Sequence, residues 1–374
     1  MIDPKLYLDA LLNEGVTFFT GVPDSLLKDF CACVTASVKK EDHVIAANEG
    51  AAIGLAIGRH LGSGKLPMVY LQNSGLGNIV NPLLSLASPQ VYAIPMLILL
   101  GWRGEPGTKD EPQHIHQGSV MIDMLDAMNV PSIILSNDFE EITEQTKTAS
   151  KLAQTSSGPV ALIARKGIFK DFSIDKAISK REISREQAII KAINLIEPNA
   201  VVISTTGMAS RELFEYRASK EMEHNKDFLT VGGMGHANQI ALGLASSQKD
   251  RPVYCFDGDG AALMHMGSLA IIGQSNRDNF IHILLNNGVH DSVGGQPTVG
   301  FDIDFCKVAD ACGYSFVVKI KNKDEIKKAI EKSKKTKGPC FIEIQTTPGN
   351  KKNIGRPTSS PKENKENLIK FLGS

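Results

Sequence analysis

Cys255-Phe256-Asp257-Gly258-Asp259-Gly260-Ala261 puts acids and glycines at the end of an apolar run, and Leu284-Leu285-Asn286-Asn287-Gly288 follows one helix and one strand later. Asp259 offers a hard carboxylate suited to Mg²⁺, Asn287 a neutral amide oxygen, and the Val289 carbonyl a third oxygen close in the chain. Mg²⁺ takes few protein ligands and leaves its other positions to phosphate oxygens and water. Gly258 and Gly260 are expected to let the backbone turn sharply toward a ligand, and a helix starting at Ala261 would turn free N–H groups and a positive dipole end to phosphate. A lone Gly-Asp-Gly is a turn more often than a metal site. The paired asparagines, one helix and one strand away, make the cluster specific.

Several other segments carry groups able to do chemistry. Thr205-Thr206-Gly207-Met208 ends an apolar run and is a candidate diphosphate contact. Val231-Gly232-Gly233-Met234-Gly235-His236-Ala237 reads by itself as a glycine-rich strand-to-helix turn, or as an incomplete dinucleotide fingerprint with no suitable acid closing the next strand. Glu49 opens a Gly- and Ala-rich helix after Val44-Ile45-Ala46-Ala47-Asn48. In isolation it is a helix N-terminal acid complementing the dipole. In Thr20-Gly21-Val22-Pro23-Asp24-Ser25, either Asp24 or Ser25 is expected to cap the following helix. The stretch from Gly101 to Gly118 reads as a long polar loop holding the only tryptophan, Arg103, Lys109, His114 and His116. Loops so loaded are more often functional than idle, and histidines are the side chains suited to carrying protons near neutral pH.

These segments need a frame. At 374 residues the chain exceeds one ordinary core, and two domains of roughly 170–190 residues are the natural expectation. Lys+Arg and Asp+Glu are both 41, so no bulk field draws nucleic acid or an anionic membrane, and anion recognition must be local. The six cysteines lack a C-x-x-C pair and read as buried free thiols of a reducing compartment. The N-terminus reads as an amphipathic helix without the basic-then-apolar pattern of a signal peptide, and the longest apolar run, Tyr92–Trp102, is too short for a membrane span. A cytoplasmic enzyme is expected.

Short β-branched runs alternate with helical patterns throughout. Six strands are expected in the first half, near residues 16–20, 44–47, 68–72, 95–100, 132–135 and 160–164. Six more are expected in the second, near 200–204, 228–231, 253–256, 281–285, 316–320 and 341–345. This alternation predicts two α/β, doubly wound, parallel-sheet domains. The polar stretch between them places domain one at 1–167, a linker at 168–184 and domain two at 185–374. The Lys-, Asn-, Pro- and Ser-rich segment 349–365 has the composition of a solvated end.

Joined in one chain, the Gly258-Asp259-Gly260…Asn286-Asn287 spacing resembles the motif of thiamine diphosphate-dependent decarboxylases. The segments 20–27, 101–118, 289–298 and 355–365 resemble the phosphonopyruvate decarboxylase family, with sulfopyruvate decarboxylase as close relative. The resemblance covers essentially the whole chain and implies a thiamine diphosphate fold with no middle domain. It implies Mg²⁺ held by Asp259, Asn287 and the Val289 carbonyl, and cofactor contacts from Thr206, Gly207, Met208, Gly258, Gly260 and Ala261. Met234 matches the residue wedged under the cofactor, the Gly232 carbonyl matches the acceptor for its 4′-amino group, and Glu49 matches the acid at the pyrimidine N1′. Catalytic protons would pass through Asp24, Ser25, His114 or His116. Arg103, Lys109 and Arg356 are candidate grips for the anionic end of the substrate. The implied reaction is decarboxylation of 3-phosphonopyruvate to phosphonoacetaldehyde and CO₂ in phosphonate biosynthesis, in a homodimer or larger assembly whose sites lie between subunits. Sulfopyruvate decarboxylases usually split these halves between subunits, so a single chain argues for the phosphonate substrate.

Overall fold

The computed structural model describes residues 1–174, 181–351 and 353–373. It divides into two compact units, Met1–Lys176 and Ala177–Ser374. Of the expected linker, residues 175–180 lie outside the described residues. Its first residues, Ile168 and Phe169, are buried in the core of the first unit, and Ile183 in that of the second.

The first unit has six strands: β1 (Val16–Gly21), β2 (His43–Ile45), β3 (Leu66–Gln72), β4 (Met96–Gly101), β5 (Ser132–Ile134) and β6 (Pro159–Ala164). All neighbours are parallel, in the order β2-β1-β3-β4-β6-β5. Alternation within β4 shows why the run is uniformly apolar. Leu97 and Leu99 enter one core with Tyr7, Phe19 and Phe30, while Met96, Ile98 and Leu100 enter the other with Ile53 and Met121. A strand covered by helices on both faces has no wet side to mark with polar residues.

The second unit repeats the plan with β7 (Val201–Ser204), β8 (Asp227–Leu229), β9 (Val253–Gly258), β10 (Phe280–Asn286), β11 (Phe316–Ile320) and β12 (Cys340–Gln345). Its order, β11-β12-β10-β9-β7-β8, read from the other edge and counted within the unit, is that of the first. Each sheet reverses its winding between β1 and β3 and between β7 and β9, and again where the last strand inserts inside the strand before it. Ligands of open α/β sheets bind at the carboxyl ends of strands beside such a reversal. Both sequence clusters with chemical potential sit there.

The C-terminal segment is more ordered than its composition suggests. Ser360 and Glu363 form a reciprocal capping box that starts the helix Pro361–Leu372. Asn364 on that helix donates to the Asp227 carbonyl at 2.8 Å and accepts from Leu229 N at 3.0 Å, covering the free edge of β8. All six cysteines are free, four of them buried. Among the described residues no helix is long and apolar enough to cross a membrane.

Candidate active site

In the first unit Glu49 opens the helix Glu49–Ser63, whose N-cap Asn48 accepts from Ala51 N. Its carboxyl is buried and, among the described residues, receives one side-chain hydrogen bond, from Asn78 Nδ2 at 2.7 Å to Oε2. Burial without a countercharge raises its pKa above the usual carboxylate value, against the weaker pull of Asn78. Space for the carboxyl comes from Gly75, where a Cβ would lie 2.4 Å from Glu49 Oε1. Gly75 and Asn78 belong to Gln72-Asn73-Ser74-Gly75-Leu76-Gly77-Asn78, a polar, glycine-bearing strand end that sequence reasoning passed over. A signal was there, in two glycines and two asparagines after an apolar strand.

Asp24 and Ser25 follow β1 but cap no helix. The next helix, Lys28–Ser37, starts after Leu27 without a side-chain cap. Asp24 turns back instead, accepting from Leu26 N at 3.1 Å and from Gln72 Nε2 at 2.6 Å across the β1/β3 reversal. It is fully buried, and desolvation outweighs those bonds and the Arg103 charge, so its pKa rises. Gly101 is needed here: a Cβ would stand 2.0 Å from Asp24 Oδ2.

The expected loop from Gly101 to Gly118 is shorter than its composition indicated. Pro112 takes the first position of the helix Pro112–Ala127, where its missing N–H costs nothing, so His114 and His116 are helical. Arg103 donates through Nε (2.8 Å) and Nη2 to Asp110, and through Nη1 to Ser25 Oγ at 2.8 Å. Asp110, unremarked in the sequence, is thereby held below the usual carboxylate range. His114 is half-buried; desolvation, then the Arg103 charge, lowers its pKa. His116 and Lys109 are exposed, as is Arg356 in the second unit. The structure gathers Asp24, Ser25 and Arg103 and sets Lys109 and His116 outward.

In the second unit Asp259 is buried at the end of β9. It accepts from Thr298 Oγ1 and, at 3.4 Å, from Asn287 N. Desolvation first of all pushes its pKa up to about 6, against the weaker pull of Thr298 and the backbone N–H of Asn287. The helix after it starts at Asp259, not Ala261, and runs only to Met264. Gly258 is extended (φ −107°) and Gly260 helical, so neither makes the sharp turn expected of it. Close packing accounts for Gly260 instead: a Cβ there would meet His290 at 2.8 Å and Met234 Cε at 3.1 Å. Met234 therefore lies against the Gly258–Ala261 segment. Gly207, with φ +95°, precedes the helix Met208–Ser219, and Ser292 lies over it, 3.6 Å from where a Cβ would stand. Segment 289–298 thus overlies both strand ends at the β7/β9 reversal. Thr206, Met208 and Gly232 are half-buried around it.

These residues fit thiamine diphosphate with a divalent cation. Thr205 Oγ1 and Ser204 Oγ are buried at the end of β7 with no hydrogen-bond partner among the described residues, as groups awaiting a polar ligand would be. The candidate metal donors, the Asp259 carboxylate, the Asn287 amide oxygen and the Val289 carbonyl, are all hard oxygens of the kind Mg²⁺ prefers.

Comparison with known proteins identifies the family. Residues 5–134 match the thiamine pyrophosphate enzyme N-terminal TPP binding domain, and residues 205–344 match the C-terminal TPP binding domain. The phosphonopyruvate decarboxylase of Streptomyces hygroscopicus is 33% identical, covering 97% of this chain and 92% of its own length. That of Streptomyces viridochromogenes is 34% identical over 97% of this chain and 93% of its own. The chain belongs to the phosphonopyruvate decarboxylase family of thiamine pyrophosphate enzymes. Its chemistry is thiamine diphosphate-dependent decarboxylation, performed on a fold of two α/β units. The sulfopyruvate decarboxylase of Methanosarcina acetivorans is 27% identical and also spans both halves, covering 92% of this chain and 91% of its own. A single fused chain therefore does not separate the two substrates in this family, and that expectation is corrected.

Proposed function

We propose that this family member decarboxylates 3-phosphonopyruvate to phosphonoacetaldehyde and CO₂, with thiamine diphosphate anchored through Mg²⁺. The observation that carries the substrate is near-full-length similarity to two phosphonopyruvate decarboxylases, each more similar than the sulfopyruvate enzyme. Asp259, Asn287 and the Val289 carbonyl hold the cation. Thr206, Gly207 and Met208, with Gly258, Gly260 and Ala261, contact the diphosphate. Met234 props the rings and the Gly232 carbonyl accepts from the 4′-amino group. Bound, the cofactor supplies an electron sink for the pair left when CO₂ departs.

The chain's own groups manage protons. Glu49 shares a proton with the pyrimidine N1′, and its raised pKa suits that exchange. Asp24, buried and held toward its neutral form, is the better donor to the carbon that loses CO₂, with Ser25 beside it. His114, biased toward neutral imidazole, serves as a relay, and exposed His116 as an exchange point with solvent. Among the described residues three of the five N–H groups of Arg103 are committed, to Asp110 and Ser25, and the other two are the ones it would offer a phosphonate oxygen. Lys109 and Arg356 supply further positive charge. Irreversible loss of CO₂ would draw an unfavourable preceding step forward, as phosphonate biosynthesis requires.

A second copy of the chain completes the site, bringing Glu49 of one subunit to Asp259 of the other in a cytoplasmic homodimer or larger assembly. An open helix face supports this: Cβ atoms at Gly54, Gly58 and Gly62 would touch nothing, and Leu55 and Leu61 beside them are exposed. The test measures aldehyde and CO₂ release from phosphonopyruvate, sulfopyruvate and pyruvate with thiamine diphosphate and Mg²⁺. Turnover of phosphonopyruvate well above the others is expected. Preference for sulfopyruvate would overturn the substrate assignment.

A further inference from the structure

We infer that Asp291 is a positioning residue that fixes the Asn287 carboxamide with its oxygen, not its nitrogen, toward the metal. The inference rests on the reading that Asp259, Asn287 and the Val289 carbonyl hold the cation. A carboxamide is nearly symmetric in shape but not in charge, and only its oxygen ligates a hard cation. Asn287 Nδ2 donates to Asp291 Oδ2 at 2.6 Å, and Asn287 Oδ1 accepts from Val289 N at 3.2 Å. Turned over, the amide would set its oxygen against a carboxylate and its N–H groups against an N–H. Two hydrogen bonds would become two repulsions.

Asp291 is itself held from two sides. Gly349 N donates to Oδ1 at 2.9 Å and to Oδ2 at 3.1 Å, and Arg185 Nη1 donates to Oδ2 at 2.9 Å. Arg185 opens the helix Arg185–Ile193, and its side chain is 7% exposed. Its remaining nitrogens bind both oxygens of Glu212, at 2.9 Å each, and Asn350 Oδ1 at 2.6 Å. Glu212 lies on the helix Met208–Ser219, which begins at the diphosphate segment. One buried guanidinium therefore ties the helix that meets the diphosphate to the acid that aims the metal ligand. A guanidinium can only donate and an ionised carboxylate can only accept, so the arrangement has one sense.

Asn287→Asp separates aiming from mere stability, because a carboxylate offers the metal an oxygen in either orientation. Mn²⁺ affinity is measured in the holoenzyme with saturating thiamine diphosphate, by the electron paramagnetic resonance signal of free Mn²⁺. Wild type, Asp291→Ala, Asn287→Asp and the double variant are compared, with circular dichroism to confirm folding. Asp291→Ala should weaken Mn²⁺ about 10- to 100-fold, the usual effect of removing an outer partner of a ligand. In the Asn287→Asp background the same change should leave affinity unchanged or improve it, since it removes a like charge. An equal loss in both backgrounds, or a loss below about twofold in the first, would overturn the proposal. If the alanine variant does not fold, Asp291→Asn replaces it. A greater loss with Asn287 in place than in the Asn287→Asp background then supports aiming, and an equal loss overturns it. Failure of the metal reading looks different, because wild type and Asp259→Ala would then bind Mn²⁺ alike.

Discussion

Gly75→Ala tests whether Glu49 must stand where the fold puts it. Gly75 has ordinary backbone angles (φ −82°, ψ −4°), so alanine brings no conformational strain. The new Cβ, however, would lie 2.4 Å from Glu49 Oε1, 2.6 Å from Cδ and 2.7 Å from Cγ, where ordinary contact begins at 3.4 Å. The carboxyl must retreat by 3.4 − 2.4, or 1.0 Å, in a buried site where its one side-chain hydrogen bond among the described residues comes from Asn78. A displacement of that size at a reacting group costs roughly a hundredfold in rate, about 2.7 kcal/mol of transition-state stabilisation. Turnover with saturating phosphonopyruvate should fall by that order, while thiamine diphosphate affinity, which the proposal assigns largely to the second unit, should stay close to wild type. The same change in a Glu49→Gln background should add little, because the group it displaces is already disabled. A hundredfold further loss in that background, or wild-type turnover of Gly75→Ala alone, would refute the reasoning.

Asp259→Ala should abolish thiamine diphosphate binding by calorimetry, because the diphosphate loses its bridging cation; wild-type affinity would end the metal assignment. Glu49→Gln should keep most cofactor affinity yet lose turnover, and should also change the pH dependence of stability. The folded-state pKa of Glu49 lies above its ordinary 4.5, so its contribution is fully present below that value and is lost as pH rises through the folded one. The melting temperature of the apo glutamine variant should therefore gain on wild type as pH rises above 4.5; a constant difference would contradict the buried-acid reading. Neutralising the cation that grips the phosphonate, Arg103 first, should cut phosphonopyruvate kcat/KM roughly ten- to hundredfold and leave weak pyruvate turnover nearly unchanged. An unchanged ratio in alanine variants of Arg103, Lys109 and Arg356 would place the grip elsewhere, with segment 291–298 next.

The fold was legible because its strands are unambiguous. All twelve expected runs are strands, and repetition of the plan in two halves reappears as one strand order used twice. Asp259 and Asn287 stand out as candidates because metal ligands combine a chemical type with a spacing, and the structure brings Asn287 N to 3.4 Å from Asp259 Oδ1. What escaped was contact between distant segments. Nothing in the order of residues says that Asp24 meets Gln72, that Gly75 makes room for Glu49, or that Asp110 neutralises Arg103. Gly260 was noticed for the wrong reason, since backbone freedom and lack of a side chain look alike in a sequence, and only packing shows which is used. The polar run around His114 and His116 reads as loop because its composition hides Pro112 as a helix start.

The most direct test mixes two dead enzymes. Glu49→Gln and Asp259→Ala subunits are each inactive alone in the proposed mechanism, by loss of the proton-sharing acid and of the cation site. If each site takes Glu49 from one chain and Asp259 from its partner, a mixed dimer contains one site with both residues intact. After unfolding and refolding together in equal amounts, half the dimers are mixed and half the sites in each are intact, so about a quarter of wild-type phosphonopyruvate turnover should return. No recovery, with mixed dimers verified by mass spectrometry, would contradict a site shared between two copies of this chain.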